Sequence, residues 1–272
     1  MLFSGLSQLT CIYYKDNKSK VILSNSEETY TNWLAALENR HLTNLRFSEV
    51  TRALRALSSA YVQRRHTLSR GGALNGAGKR AAFALFYGPL HFLIVKDLVQ
   101  RLRLQTPKTI LDLGCGTGAA GAAWALTTTS NPRIIGIDRH PWSISETRWT
   151  HKQLNLKSVL RTTDLVRLYQ PKKHFGIVAS YVLNELDKNR RISVIQTLFN
   201  WASDDIPLLI IEPISKTVNP WWDDVAQMAV KRGGRYDQWR WSVDFPPLLK
   251  KLAHSAGLNH QKVAARSILI NR

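Results

Sequence analysis

The stretch "ILDLGCGTGAAGAAWAL", Ile110 to Leu126, decides the fold. An apolar run leads into a turn with glycine at positions 114, 116 and 118, and a run of small residues follows. The order is strand, turn, helix. Glycine has no Cβ, so it admits positive φ and lets backbone amides approach a ligand that a side chain would block. The helix behind the turn brings its positive end to the same place, which favours a carboxylate or phosphate. Ligands of open α/β sheets lie beyond the carboxyl ends of the strands, and this turn sits at such an end.

Downstream of that turn, further apolar runs recur: "RIIGID" (133–138), "FGIVASYV" (175–182), "PLLIIEP" (207–213) and "RSILI" (266–270). Segments of helical character lie at about 119–128, 142–154, 187–202, 220–232 and 246–256. Nearly all-apolar strands alternating with helices predict an α/β, Rossmann-like, doubly wound and mostly parallel sheet covered on both faces. Upstream, Trp33 and Leu37, then Val50, Leu54, Leu57 and Tyr61, recur at steps of three or four residues, so an N-terminal helical extension is expected from near Glu28. Arg52 and Arg55 fall off that stripe, and Arg64, Arg65 and Arg70 crowd its end. Four glycines between Arg70 and Gly78 predict a flexible connection. The chain therefore divides into a basic, mainly helical extension (1–77) and the α/β domain (78–272). Within the connection, "GGALNGAGKR" (71–80) fails as a phosphate loop, because its glycine spacing is wrong and Arg80 stands where Ser or Thr is required. A further helical stretch over 79–104 is expected to break or restart at Pro89.

Composition narrows the function classes. With 44% hydrophobic and 21% charged residues the chain is globular. No apolar run is read as long enough to span a bilayer, since Phe83 to Val95 is interrupted by Gly88, Pro89 and His91, and no membrane partner is expected. Met1 to Cys11 lacks a positive n-region and a small-residue cleavage site, so export is not expected and a cytoplasmic location is. Cys11 and Cys115 are too few for a disulfide framework or a four-thiolate metal site. The charge is the loudest global signal: 38 Lys+Arg against 19 Asp+Glu leave +19. Residues 1–106 hold 15 of the basic and 6 of the acidic residues, so the excess is denser towards the N-terminus. Such a surface attracts polyanions through counterion release, and RNA is the expected partner.

The glycine turn fits two ligand classes. Gly114, Gly116 and Ala119 satisfy the dinucleotide pattern, and Asp138 lies 20 residues beyond Gly118. Against a nicotinamide stand Asp112, two residues before the first glycine, the continuing G-x-G-x-G, and a mid-chain position behind a helical segment. In these respects the stretch resembles the signature motif of class I methyltransferases. That resemblance implies S-adenosylmethionine as cofactor, held by Gly114, Cys115, Gly116, Thr117 and Gly118. It places Asp138, with Arg139 beside it, at the ribose hydroxyls, Asp164 and Leu165 at the adenine, and Asp112 near the methionine amine. Ser180 and Tyr181 would border the cofactor where it meets the acceptor. Asn184, Glu185 and Glu212 become the candidate catalytic residues, at the ends of the runs 175–182 and 207–213. Blander roles stay open: Asp164 or Asn184 as a helix cap, and Cys115 as a small packing residue.

No N/D-P-P-Y/F/W tetrapeptide and no cysteine after those runs are present, which disfavours exocyclic base-amine methylation and a covalent route to pyrimidine carbon. Trp221, Trp222, Trp239 and Trp241 lie among Lys231, Arg232, Arg235 and Arg240, a mixture that suits base stacking and phosphate contact or, equally, packing over the sheet.

A narrower likeness joins "LSSAYVQRR" (57–65), "GKRAAFALFYGPLHFL" (78–93), the glycine turn, "YVLNEL" (181–186), "IIEP" (210–213) and "ARSILI" (265–270). Over roughly 50–272 the chain resembles the mitochondrial small-ribosomal-subunit methyltransferase-like family, which also has bacterial members. The resemblance implies action on small-subunit ribosomal RNA or a part in subunit assembly. Mitochondrial members carry a cysteine set for an iron–sulfur cluster; with two cysteines this chain is expected to hold none, as a bacterial-type member would. Two other functions stay open: a non-catalytic, cofactor-binding assembly factor, and a methyltransferase for a small molecule or protein.

Overall fold

The computed structural model describes residues 25–63, 74–127, 130–168, 170–171, 174–203, 205–258 and 262–271. The N-terminal arm with Cys11 and the arginines Arg64, Arg65 and Arg70 lie outside the described residues. Seven strands form one sheet in the order β3-β2-β1-β4-β5-β7-β6. These are β1 (Thr109–Leu113), β2 (Arg133–Asp138), β3 (Ser158–Thr162), β4 (Phe175–Ser180), β5 (Leu208–Glu212), β6 (Arg235–Ser242) and β7 (Lys262–Ile270). The first five pair in parallel, and β7 runs antiparallel to both β5 and β6. The expected Rossmann-like, mostly parallel sheet is therefore present. The chain steps outward from β1 to β2 and β3, then returns to place β4 on the other side of β1. Between the carboxyl ends of β1 and β4 the connections diverge, which opens a crevice there.

Helices cover both faces: α5 (Ala119–Leu126), α6 (Pro141–Gln153), α7 (Lys188–Trp201), α8 (Trp222–Val230) and α9 (Pro247–Ser255). Ahead of the sheet come α1 (Asn25–Leu42), α2 (Phe47–Gln63), α3 (Ala77–Ala82) and α4 (Gly88–Arg101). Tyr30, Trp33, Leu37, Val50, Leu54 and Leu57 from the first two helices join the same buried cluster as Phe92, Leu98 and the Trp124 of α5. The N-terminal helices are thus built onto the core of the α/β unit. A buried carboxylate ties them further: Glu146 of α6 accepts from Arg40 at 3.2 Å and lies 2.7 Å from His41 Nε2, both at the end of α1.

Small residues explain the tightest packing. Helix α5 is almost wholly Ala and Gly apart from Trp124, so α4 and the sheet can close on it from either side. A Cβ on Gly176 of β4 would stand 2.6 Å from the Trp124 ring, which is why that strand carries glycine opposite the indole.

One expectation is refined and two need correction. The restart at Pro89 comes without a break in the run: α4 begins at Gly88 with Pro89 in its first turn, directly after a wider π-helical turn at Phe83–Tyr87, so Ala77–Arg101 is continuous. Proline cannot donate to the carbonyl four residues back, and a wider turn just before it absorbs the mismatch. By length and composition this same run is long and apolar enough to cross a bilayer, contrary to the reading of its interrupted sequence, but 61% of its most apolar window is buried inside the protein. Finally, β3 and β6 had no counterpart in the expected strands. Strand β3 is only partly buried, and β6 is an edge strand of alternating exposure, so neither presents a continuous apolar run.

Candidate active site

The turn after β1 is shaped by left-handed glycines. Gly114, Gly116 and Gly118 have φ of 65°, 55° and 79°. A Cβ on Gly114 would fall 2.2 Å from the Val182 side chain, so only glycine lets the end of β1 approach the end of β4. The loop is braced from β2 and α6. Cys115 N donates to Ile137 O at 2.9 Å, and the Thr147 hydroxyl donates to Gly116 O at 3.0 Å. His151 Nε2 lies 3.1 Å from Gly118 O, which makes that nitrogen the protonated one. Gly118 caps α5 without any side-chain bond, so the amides of Ala119 and Ala120 are left for a ligand.

Above this loop lies a cavity of about 480 Å³. Of the residues singled out in sequence, Gly114, Cys115, Gly116, Thr117, Asp138, Arg139, Asp164, Leu165, Ser180, Tyr181, Asn184 and Glu185 line it. Asp138 closes the end of β2. Its carboxylate accepts from Gly116 N at 3.0 Å and His140 N at 2.8 Å, and burial raises its pKa. It therefore holds the glycine loop while edging the cavity. Asp164 accepts from Val166 N at 3.2 Å, capping a short 3₁₀ turn (Leu165–Arg167), and is ion-paired with Arg190, which also lines the cavity. The cap and the cavity-edge position coexist. The Cys115 thiol is buried, and burial holds its pKa well above the ordinary range, so the thiolate needed of a nucleophile is not available.

Asp112, Gly118 and Glu212 stand outside the lining. Asp112 is buried beneath the turn, where Oδ2 accepts from Gly121 N at 2.9 Å, and burial pushes its pKa up to about 7. Glu212, fully buried at the end of β5, accepts from the backbone N–H of Asn184 at 3.1 Å and from its side-chain amide. Glu212 thus fixes Asn184 at the cavity edge; it does not itself reach the cavity.

Sequence reasoning passed over the wall contributed by the π turn and α4: Phe83, Tyr87, Leu90, His91 and Ile94. The only signal was the "FALFYGPLHFL" stretch, whose apolar character reads as plain core. His91 stacks on Tyr181, with ring centroids 4.1 Å apart and an angle of 11°. Tyr181 itself has φ 57°, a conformation uncommon for a non-glycine residue and concentrated at functional sites. Of the two roles open to the four tryptophans, packing is the one their contacts support. Trp222 is buried under Arg266, Trp221 lies under Arg191, Trp241 meets Arg101, and Trp239 Nε1 donates to Ser267 at 2.8 Å.

The cavity fits an adenosyl ligand. Glycine backbone forms part of its lining, a carboxylate stands at the end of β2, and Ala119 and Ala120 bring the N-terminus of α5 into the same lining, which suits the charged methionine end of such a ligand. Residues 110–205 match the model of a methyltransferase domain. No curated protein matches the sequence. Among solved structures the chain is similar to mitomycin 7-O-methyltransferase, at 11% identity and TM-score 0.50, over 92% of this chain and 69% of that one. It is similar to the magnesium protoporphyrin IX methyltransferase of Synechocystis PCC 6803, at 13% identity and TM-score 0.47, over 92% and 98% of the two chains. The small RNA methyltransferase HEN1 gives 14% identity and TM-score 0.45, over 68% of this chain and 25% of that one. At 11% identity the first of these bears on the fold alone; the activity rests on the matched family segment. The chain contains a class I, S-adenosylmethionine-dependent methyltransferase domain.

Proposed function

We propose that this methyltransferase acts on RNA, specifically on small-subunit ribosomal RNA, as a cytoplasmic enzyme of bacterial type. The observation that carries the proposal is the charge of +19, a polyanion-attracting balance far beyond what a small neutral acceptor would require. Exposed Lys262 in the cavity lining, with exposed Arg161 on β3 and Arg167 just after it, supports contact with a phosphate backbone. The resemblance of 50–272 to the small-ribosomal-subunit family adds the choice of RNA.

When bound, S-adenosylmethionine supplies a methyl carbon already activated by the sulfonium. What the chain adds is alignment. Asp138 and the glycine loop fix the donor seat, and Asn184, held through Glu212, sets the edge against which an acceptor would lie. Glu185, also in the lining, is the remaining carboxylate at that edge.

Tritiated S-adenosylmethionine, offered with naked ribosomal RNA, small subunits and total protein, tests the proposal. Label in RNA supports it. Label in protein or small molecules alone replaces it with another acceptor, and donor binding without transfer to any acceptor supports a non-catalytic assembly role. Comparing ribosomal RNA modification maps from cells with and without the gene identifies the position.

A further inference from the structure

The cavity is larger in chemistry than the donor seat. Gly114 to Thr117, Asp138 and Asp164, with Asn184, Glu185 and Arg190, belong to its polar side, while Phe83, Tyr87, Leu90, Ile94 and Phe245 give it an aromatic and aliphatic side. On that second side Phe83 and Tyr87 approach each other at 5.9 Å between centroids. His91 meets the edge of Phe83 at 6.4 Å and lies 6.0 Å from Tyr87. The stacked His91–Tyr181 pair forms one wall, and Phe245 belongs to the same lining. Neither ring nitrogen of His91 bonds to another described residue, and burial holds its pKa down to about 3, so the imidazole is neutral with one donor and one acceptor nitrogen. Lys262 contributes to the lining of the same cavity while its residue is exposed to solvent.

These features specify a ligand. Aromatic rings offer stacking and edge contacts to a flat ring, a neutral imidazole can meet a donor–acceptor edge, and a cation at the lip suits a phosphate. We infer that the recess walled by Phe83, Tyr87, His91, Tyr181 and Phe245 receives a nucleobase turned out of the RNA, with Lys262 facing its phosphate. Enzymes that modify a base take it out of the stack into such a pocket. The inference rests on the methyl-donor reading of the cavity and narrows its acceptor to the base of a nucleotide, away from a ribose hydroxyl or a protein side chain.

The four ribonucleoside 5′-monophosphates serve as probes, with the full-length chain saturated with S-adenosylhomocysteine. Saturation-transfer NMR is expected to show contacts to the base protons of at least one nucleotide, stronger than those to its ribose. His91→Gln is expected to weaken that binding at least tenfold. Lys262→Ala should weaken the monophosphate but leave the matching nucleoside unchanged. Calorimetry with S-adenosylhomocysteine reports separately on the donor seat and on folding, and both variants should hold that affinity within twofold. No nucleotide binding to the loaded protein overturns the inference, as does binding that S-adenosylhomocysteine displaces, since the recess would then be adenosine's own seat. If S-adenosylhomocysteine itself does not bind the wild-type chain, the donor reading fails first and the inference falls with it. If either variant has lost that affinity, Phe83→Leu replaces it, and unchanged nucleotide binding in Phe83→Leu counts against the recess.

Discussion

Asp138 does two things with one carboxylate, and the pairing sets what its removal costs. It accepts two backbone amides, one of them from the glycine loop, and it edges the cavity. Asp138→Ala is therefore expected to weaken S-adenosylmethionine binding at least tenfold by calorimetry while far-UV circular dichroism stays that of the wild type. Charge-assisted hydrogen bonds of about 1.5–3 kcal/mol are large enough for that loss. Asp112 makes a different prediction because it is buried. Its pKa is raised to about 7, against about 3.9 for a free aspartate. Between those values the folded state binds the extra proton, so this group's contribution to stability falls as pH rises from about 4 to about 7. Asp112→Asn keeps an acceptor for Gly121 N and removes the titration. Thermal melts should show the variant gaining on the wild type at pH 8 and losing that gain at pH 5. The glycine turn was legible in sequence because its spacing demands tight backbone, and the family resemblance singled out Asp138 and Asp164, both of which line the cavity. His91 was not: its role depends on a stacking partner 90 residues away.

At the scale of elements, the buried strands announced themselves, since β1, β4 and β5 are covered on both faces and read as apolar runs. Strand β6 was hidden by its place at the edge, where alternate residues face water and the sequence "RYDQWRWS" looks like a basic aromatic patch. Only its pairing with β7 turns those tryptophans inward. The contact of α1 with α6 was equally invisible, for Arg40 and Glu146 lie 106 residues apart. It yields an ordered pair of expectations. Removing both partners in Arg40→Ala/His41→Ala leaves a carboxylate buried and uncompensated, which costs about 3 kcal/mol. Glu146→Gln keeps a neutral partner in place and should cost about 1 kcal/mol. Denaturant midpoints of the two variants decide the order.

For the whole molecule, charge is the property that sequence gives outright and structure only distributes. If RNA is the acceptor, its affinity should fall steeply between 50 and 200 mM salt, by roughly 10³-fold or more for six or more phosphate contacts. A filter-binding series with small-subunit ribosomal RNA measures the slope, and a flat response would point to a small acceptor.

The salt link from α1 to Glu146 reaches further than anchoring a helix. Thr147, the next residue along α6, holds the carbonyl of Gly116, and His151, one turn later, holds that of Gly118. Helix α1 and the donor's cradle are therefore clamped by neighbouring positions of a single rod. Load on either end is shared: occupancy of the cradle should make α1 harder to peel away, and loosening α1 should cost donor affinity by the same factor.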